Sequence, residues 1–201
     1  NIPAVMHAMR VDEKTAEQYV PFGCGEFVIQ GQSTGTPNTC INLLKILQMA
    51  INGGIDPKDG IDKSDGVELL PAEKLDSFEA LFDQYRRLVD HYLDLSVKAQ
   101  TRSYEIMNQE VSFLFTSILM DDCIGRGLAV LDGGIRYLGG TNETYGNINV
   151  SDSLTAINEL VYERKIVSLP QLRDAAKENF AGQEWLRRQL WECPKYGNDD
   201  P

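Results

Sequence analysis

Two residues able to do chemistry stand close together near the start of the chain. Cys24 and Glu26 are separated by one residue in Tyr-Val-Pro-Phe-Gly-Cys-Gly-Glu-Phe-Val, residues 19–28. On an extended backbone, side chains at i and i+2 lie on the same side, with α-carbons about 6.5 to 7 Å apart. On a helix the same spacing would turn them away from each other. Gly23 and Gly25 disfavour a helix, so the extended geometry is expected, with room for one small molecule between a sulfur and a carboxylate. The glycines also remove bulk where a substrate would sit, which makes Phe22, Gly25 and Phe27 the candidate pocket residues. Plainer readings compete. A free cysteine is usually a small buried hydrophobe, and a loop glutamate is usually solvated. A cysteine–histidine hydrolase would need His7 or His91, neither of which is near in sequence, although folding can bring distant residues together. From residue types alone these readings stay open.

The bulk composition narrows the classes of function. A chain of 201 residues can form one large domain or two small ones. Its 42% hydrophobic and 24% charged residues are those of a globular protein. No run approaches the roughly 18 consecutive apolar residues of a membrane span, so no membrane association is expected. A net charge of -11 disfavours nucleic acid and anionic lipid as partners. Cys24, Cys40, Cys123 and Cys193 share no CxxC spacing and have only two histidines to help them. Neither a metal cluster nor a disulfide framework is therefore expected, and a reducing, cytoplasmic compartment is. The aspartates within 55–74 fail the calcium-loop pattern in every register, and an exposed connection is the better reading. Gly133-Gly134 and Gly139-Gly140 match neither phosphate-binding glycine motif, so a nucleotide site is only weakly indicated. The chain lacks an initiator methionine and a signal-peptide pattern, and it stops abruptly at Asn-Asp-Asp-Pro. It is expected to be a fragment of a longer protein.

The elements that must hold Cys24 and Glu26 read as helix-rich with short strands. Residues 1–11 are mostly apolar and are expected to be buried. Asp12 is placed to cap a short helix running to about Tyr19 and ended by Pro21. Residues 23–35 read as loop with short extended pieces. A buried helix is expected from Asn38, apolar all round, and stopped by Asn52-Gly53-Gly54. Asp76 and Glu79 have capping-box spacing at the head of a long helix whose face is Phe78, Leu81, Phe82, Tyr85, Leu88, Val89 and Tyr92. These aromatics read as core packing, and His91 on the same helix reads as structural. A second apolar run spans 111–120, Ile135–Leu138 reads as a strand, and helices return at 151–164, after Ser168 (capping-box spacing to Gln171), and at 183–191.

Longer patterns carry more than spacing does. Gly23-Cys24-Gly25-Glu26 resembles the Gly-Cys-x-Glu motif of the glycyl radical enzymes, the pyruvate formate-lyase superfamily. Residues 42–54 look like the family helix that follows the cysteine loop, and residues 147–157 look like its N-x-x-D-S-L-x-A-I segment. Asn179-Phe180-Ala181-Gly182 and residues 194–200 match two further signatures in the expected order. The resemblance spans essentially the whole chain.

It implies an α/β fold, helix-rich, forming part of a ten-stranded α/β barrel. Residues 1–201 would be a single fragment from its second part. The thiyl-cysteine loop would be 19–37 and the helical and glycine-rich barrel segments 38–201, with the N-terminal half and the glycyl-radical segment lying elsewhere. No Arg-Val-x-Gly-Tyr type sequence occurs here. By the match Cys24 would be the thiyl residue that abstracts hydrogen, and Glu26 the base acting on a substrate hydroxyl. The implied reaction is dehydration or carbon–heteroatom lysis of a small diol or amino alcohol, in anaerobic metabolism. The alternatives are pyruvate formate-lyase-like formate acetyltransfer, disfavoured by the missing second cysteine, and a radical-incompetent accessory module. No bound cofactor is implied. The implied partners are a small-molecule substrate, a radical SAM activating enzyme that installs the glycyl radical, and a second copy in a homodimer. At Gly25 the chain departs from the branched aliphatic residue usual in glutamate-bearing members, and at Phe27 from a frequent proline, which points to a pocket of its own.

Overall fold

The computed structural model describes residues 1–23, 26–35, 38–139 and 141–198, with only the backbone of Phe27 and Asn38. The chain is a helix-rich α/β structure. Its elements in order are α1 (Ile2–Met9), α2 (Glu13–Ala16), β1 (Tyr19–Phe22), β2 (Glu26–Ile29), β3 (Asn38–Asn42), α3 (Leu43–Ile51), α4 (Phe78–Glu110), α5 (Leu114–Leu119), α6 (Cys123–Arg126), β4 (Thr141–Tyr145), α7 (Asn147–Ile157), α8 (Leu169–Lys177) and α9 (Glu184–Glu192). The chain divides into two compact units, one of residues 1–40 with 94–143 and the other of residues 41–93 with 144–201.

The first unit carries the candidate site. The Asp12 side chain accepts from the Thr15 amide at 2.7 Å, as a helix cap should. However, α2 is only one turn, and Pro21 lies inside β1 instead of ending a helix. Proline is tolerated there because a two-stranded ribbon has free edges on which no donor is needed. Within residues 1–11, α1 is mostly exposed, with Val5 alone fully inside, because its eight residues present only one narrow face to a neighbour. The expected strand at Ile135–Leu138 reduces to an isolated parallel bridge between Ser33 and Tyr137. The apolar run after α4 becomes α5, whose Leu114, Phe115, Ile118 and Leu119 are exposed. A smaller core of Cys123, Val130 and Ile135 lies nearby.

The second unit holds the main core, where α3, the first half of α4, α7, α8 and α9 bury Leu47, Leu81, Leu88, Leu160 and Leu186. Asn38 does not begin the helix. It begins β3, which pairs with β4, and Asn42 caps α3 by accepting from the Lys45 amide at 3.0 Å. A strand partner a hundred residues away overrides the local helical pattern. At the head of α4 the cap is Ser77 rather than Asp76, its Oγ accepting from the Ala80 amide at 3.1 Å. The Ser168–Gln171 capping box forms in full. Gln84, wholly buried, closes the connection before α4. Its carbonyl oxygen accepts from Leu70 N at 2.7 Å, and its amide donates to the carbonyls of Leu70 (2.9 Å) and Ala50 (2.8 Å). Within the largely exposed 55–74 connection, Asp56 is buried between Lys63 at 2.6 Å and Lys45 at 2.9 Å. Those two ammonium groups, with the Lys58 amide, hold its carboxyl well below the usual carboxylate range.

Candidate active site

The motif lies at the end of an antiparallel hairpin. Tyr19 pairs with Ile29, Val20 with Val28, Pro21 with Phe27 and Phe22 with Glu26, so the ladder closes at Phe22–Glu26. Successive side chains alternate between faces. Phe22 and Glu26 therefore share a face with Val20 and Val28. Cys24 and Gly25 lie outside the described residues, as does the side chain of Phe27, so the expected i, i+2 geometry and two of the three pocket candidates fall there too. What is described is the frame on either side of them.

Glu26 is buried at 8% exposure, not solvated as an ordinary loop carboxylate would be. Its carboxylate folds back over Gly23. A Cβ built on Gly23 would lie 2.8 Å from Glu26 Oε2 and 2.9 Å from Oε1, closer than real contacts allow. Gly23 also has φ +54°, a left-handed conformation in which a side chain costs energy. Glycine is thus required twice at the position just before Cys24. Phe22 is half exposed, and its ring lies against Gly35, where a built Cβ would meet Phe22 Cδ1 at 2.6 Å and Val28 Cγ2 at 3.1 Å.

The base of the hairpin is tied down by polar contacts. The Ile29 amide donates to Ser33 Oγ at 2.8 Å, and the amides of Gln32 and Ser33 both donate to the Ile29 carbonyl at 3.0 Å. Tyr137 N donates to the Gln32 carbonyl at 2.9 Å and Asp121 N to the Gly31 carbonyl at 2.8 Å. Arg136, paired with Asp122 at 2.9 Å, steadies that second segment. Buried Gln32 and Ser33 and the packed Gly35 are supporting residues that sequence reasoning missed. The only signal available was their place in a glycine-rich run.

Elsewhere, Thr39 Oγ1 hydrogen-bonds to Asn142 across β3 and β4, and the exposed Cys40 thiol donates to Glu143 Oε2 at 3.8 Å. Burial raises the thiol pKa of Cys123 and Cys193, which keeps both in the inert protonated form. His91 contacts Asp65 at 3.1 Å on an exposed surface. In the second unit a cleft of about 980 Å³ is rimmed by Lys58, Lys177 and Arg187 over an apolar floor, and neither Gly23 nor Glu26 lines it. Among the described residues no three His, Cys, Asp or Glu side chains are grouped to hold a metal, and no helix is long and apolar enough to cross a membrane.

Residues 1–201 match the family model described as pyruvate formate lyase-like. The chain belongs to this family. It is 30% identical over 179 residues to the trans-4-hydroxy-L-proline dehydratase of Clostridioides difficile, covering 89% of this chain and 22% of that protein. It is 28% identical over 195 residues to the probable dehydratase YbiW of Escherichia coli, covering 94% of this chain and 24% of that protein. Among solved structures, it superposes with a TM-score of 0.86 and 29% identity on the protein of a study of 1,2-propanediol dehydration in Roseburia inulinivorans, over 99% of this chain and 26% of that one. The chain therefore spans about a quarter of the length of the relatives it matches. The helix-rich α/β fold of the family is present over that quarter, and the relatives named are dehydratases, which does not favour the formate acetyltransferase alternative.

Proposed function

We propose that these 201 residues carry the hydrogen-abstracting centre of a glycyl radical enzyme that eliminates water, or another heteroatom group, from a small hydroxylated substrate. The observation carrying this reading is Glu26, a buried carboxylate folded back on Gly23 immediately before Cys24. A carboxylate kept out of water at that spot is suited to proton transfer. The hairpin that presents it is braced from its base, as reaction centres need.

In this reading Cys24 is the thiyl residue. The glycyl radical, stored outside these 201 residues and installed by a radical SAM activating enzyme, supplies the oxidation of the Cys24 thiol and takes its hydrogen atom in return. The Cys24 thiyl then removes a hydrogen atom from the substrate carbon next to the leaving hydroxyl, one that bears a second hydroxyl or an amine nitrogen, leaving a carbon radical and the Cys24 S–H. Glu26 accepts the proton of that second hydroxyl or of the nitrogen, which raises electron density on the radical carbon. The adjacent C–O bond breaks, the leaving hydroxide takes the proton that Glu26 accepted and departs as water, and the remaining radical recovers its hydrogen atom from Cys24. The net change is a diol to a carbonyl compound, or a hydroxylated cyclic amine to an imine, and water. Phe22, on the same face of the hairpin as Glu26, would stand on the substrate side. No small-molecule cofactor is needed for these steps, the location is cytoplasmic, and the working assembly is a homodimer. The 201 residues form one part of the enzyme's barrel.

The test is to activate the complete protein anaerobically and assay 1,2-propanediol and trans-4-hydroxy-L-proline for loss of water. Turnover of either, falling about 10²–10⁴-fold in Glu26→Gln, supports the assignment. An activated protein that consumes neither contradicts it.

A further inference from the structure

We infer that Gly23 is a positioning residue, whose lack of a side chain sets where the Glu26 carboxylate rests. The inference builds on the reading of Glu26 as the base and adds what holds that base in place. The carboxylate occupies the volume a Cβ at position 23 would fill, with both oxygens within 3.0 Å of that point. The atoms in conflict are the far end of a flexible side chain, so a Cβ at 23 would expel the carboxylate without dismantling the hairpin. The ladder pairs Phe22–Glu26 and Val20–Val28, the Ser33 contacts and the buried Ile29 depend on other atoms. A side chain at 23 should therefore separate position from fold: the hairpin stays and the carboxylate moves. A misplacement of about 1 Å at a reacting group can cost on the order of 100-fold in rate.

The variants are chosen to separate backbone strain from loss of space. Gly23→Ala meets both the left-handed φ and the missing space. Gly23→Asn keeps the Cβ but tolerates positive φ far better, so it folds more readily and still displaces Glu26. The first measurement is a crystal structure of the complete protein carrying Gly23→Asn. Expected is an intact hairpin with the Glu26 carboxylate moved off the tip, and a carboxylate still in its original place overturns the inference. The second is a double-mutant cycle in the activated protein, with 1,2-propanediol or trans-4-hydroxy-L-proline as substrate. Gly23→Asn should lower kcat about 100-fold while electron paramagnetic resonance still shows the glycyl radical. Adding it to Glu26→Gln should lower kcat no further, since both act through one group. Losses that multiply in the double variant, or a Gly23→Asn enzyme as fast as the parent, overturn the inference. A parent protein that turns over neither substrate contradicts the proposed function instead, and the crystal structure then decides where Gly23 places Glu26.

Discussion

The ring of Phe22 rests directly on the backbone of Gly35, with no space for even a methyl group between them. This contact fixes the outer wall of the hairpin end, one residue from Gly23 and two from Cys24. Gly35→Ala would bring the new Cβ within 2.6 Å of Phe22 Cδ1. An aromatic ring cannot fold away as a carboxylate can, so overpacking should destabilise the protein by about 1–3 kcal/mol. Chemical denaturation checks the loss, and Gly35→Ala combined with Phe22→Ala should recover most of it.

Phe22 itself is half exposed, so its truncation should cost little stability while removing the ring we propose as a pocket wall. In the complete, activated protein, Phe22→Ala is expected to raise KM more than it lowers kcat. Steady-state kinetics on the accepted substrate measures the split.

Gln84 supplies a different kind of test, remote from the motif. It satisfies the Leu70 amide and the carbonyls of Leu70 and Ala50 from a fully buried position. Gln84→Leu has similar volume but leaves these groups without partners, at about 1–3 kcal/mol for each buried group left unsatisfied. Urea denaturation should show a loss of at least about 2 kcal/mol.

Asp56 gives a pH dependence of definite sign. Lys63 first, then Lys45 and the Lys58 amide, lower its folded pKa below that of an unfolded aspartate. A depressed carboxylate contributes stability that is complete above the unfolded value of about 3.9 and is lost as pH falls below it. Lys63, whose pKa is pushed up to about 12, contributes stability that is complete below its unfolded value of about 10.4 and is lost as pH rises through the folded one. Between pH 5 and pH 3, the denaturation midpoint should therefore fall more steeply for the parent than for Asp56→Asn. Equal slopes would show that the cluster contributes nothing to acid stability.

Local signals were the ones legible in the sequence. The Ser168–Gln171 box and the Asp12 cap each depend on residues within three positions, and both formed as their spacing demanded. β3 depends on β4, about a hundred residues later, and a local helical pattern could not reveal that pairing. Pro21 read as a helix stop, yet it fits a ribbon because a proline needs no donor at a free edge. At the site, Cys24 and Glu26 stood out by type and spacing, whereas the support did not. That Glu26 turns back onto Gly23, and that Gly35 carries Phe22, are facts of packing between residues whose types are individually unremarkable.

The most direct test of the central claim is the fate of substrate in the activated complete protein carrying Cys24→Ala. Electron paramagnetic resonance should show the glycyl radical at an amount comparable to the parent protein, with no substrate consumed and no substrate-centred radical formed. Turnover that persists in that variant while the glycyl radical is present would contradict the assignment of hydrogen abstraction to Cys24.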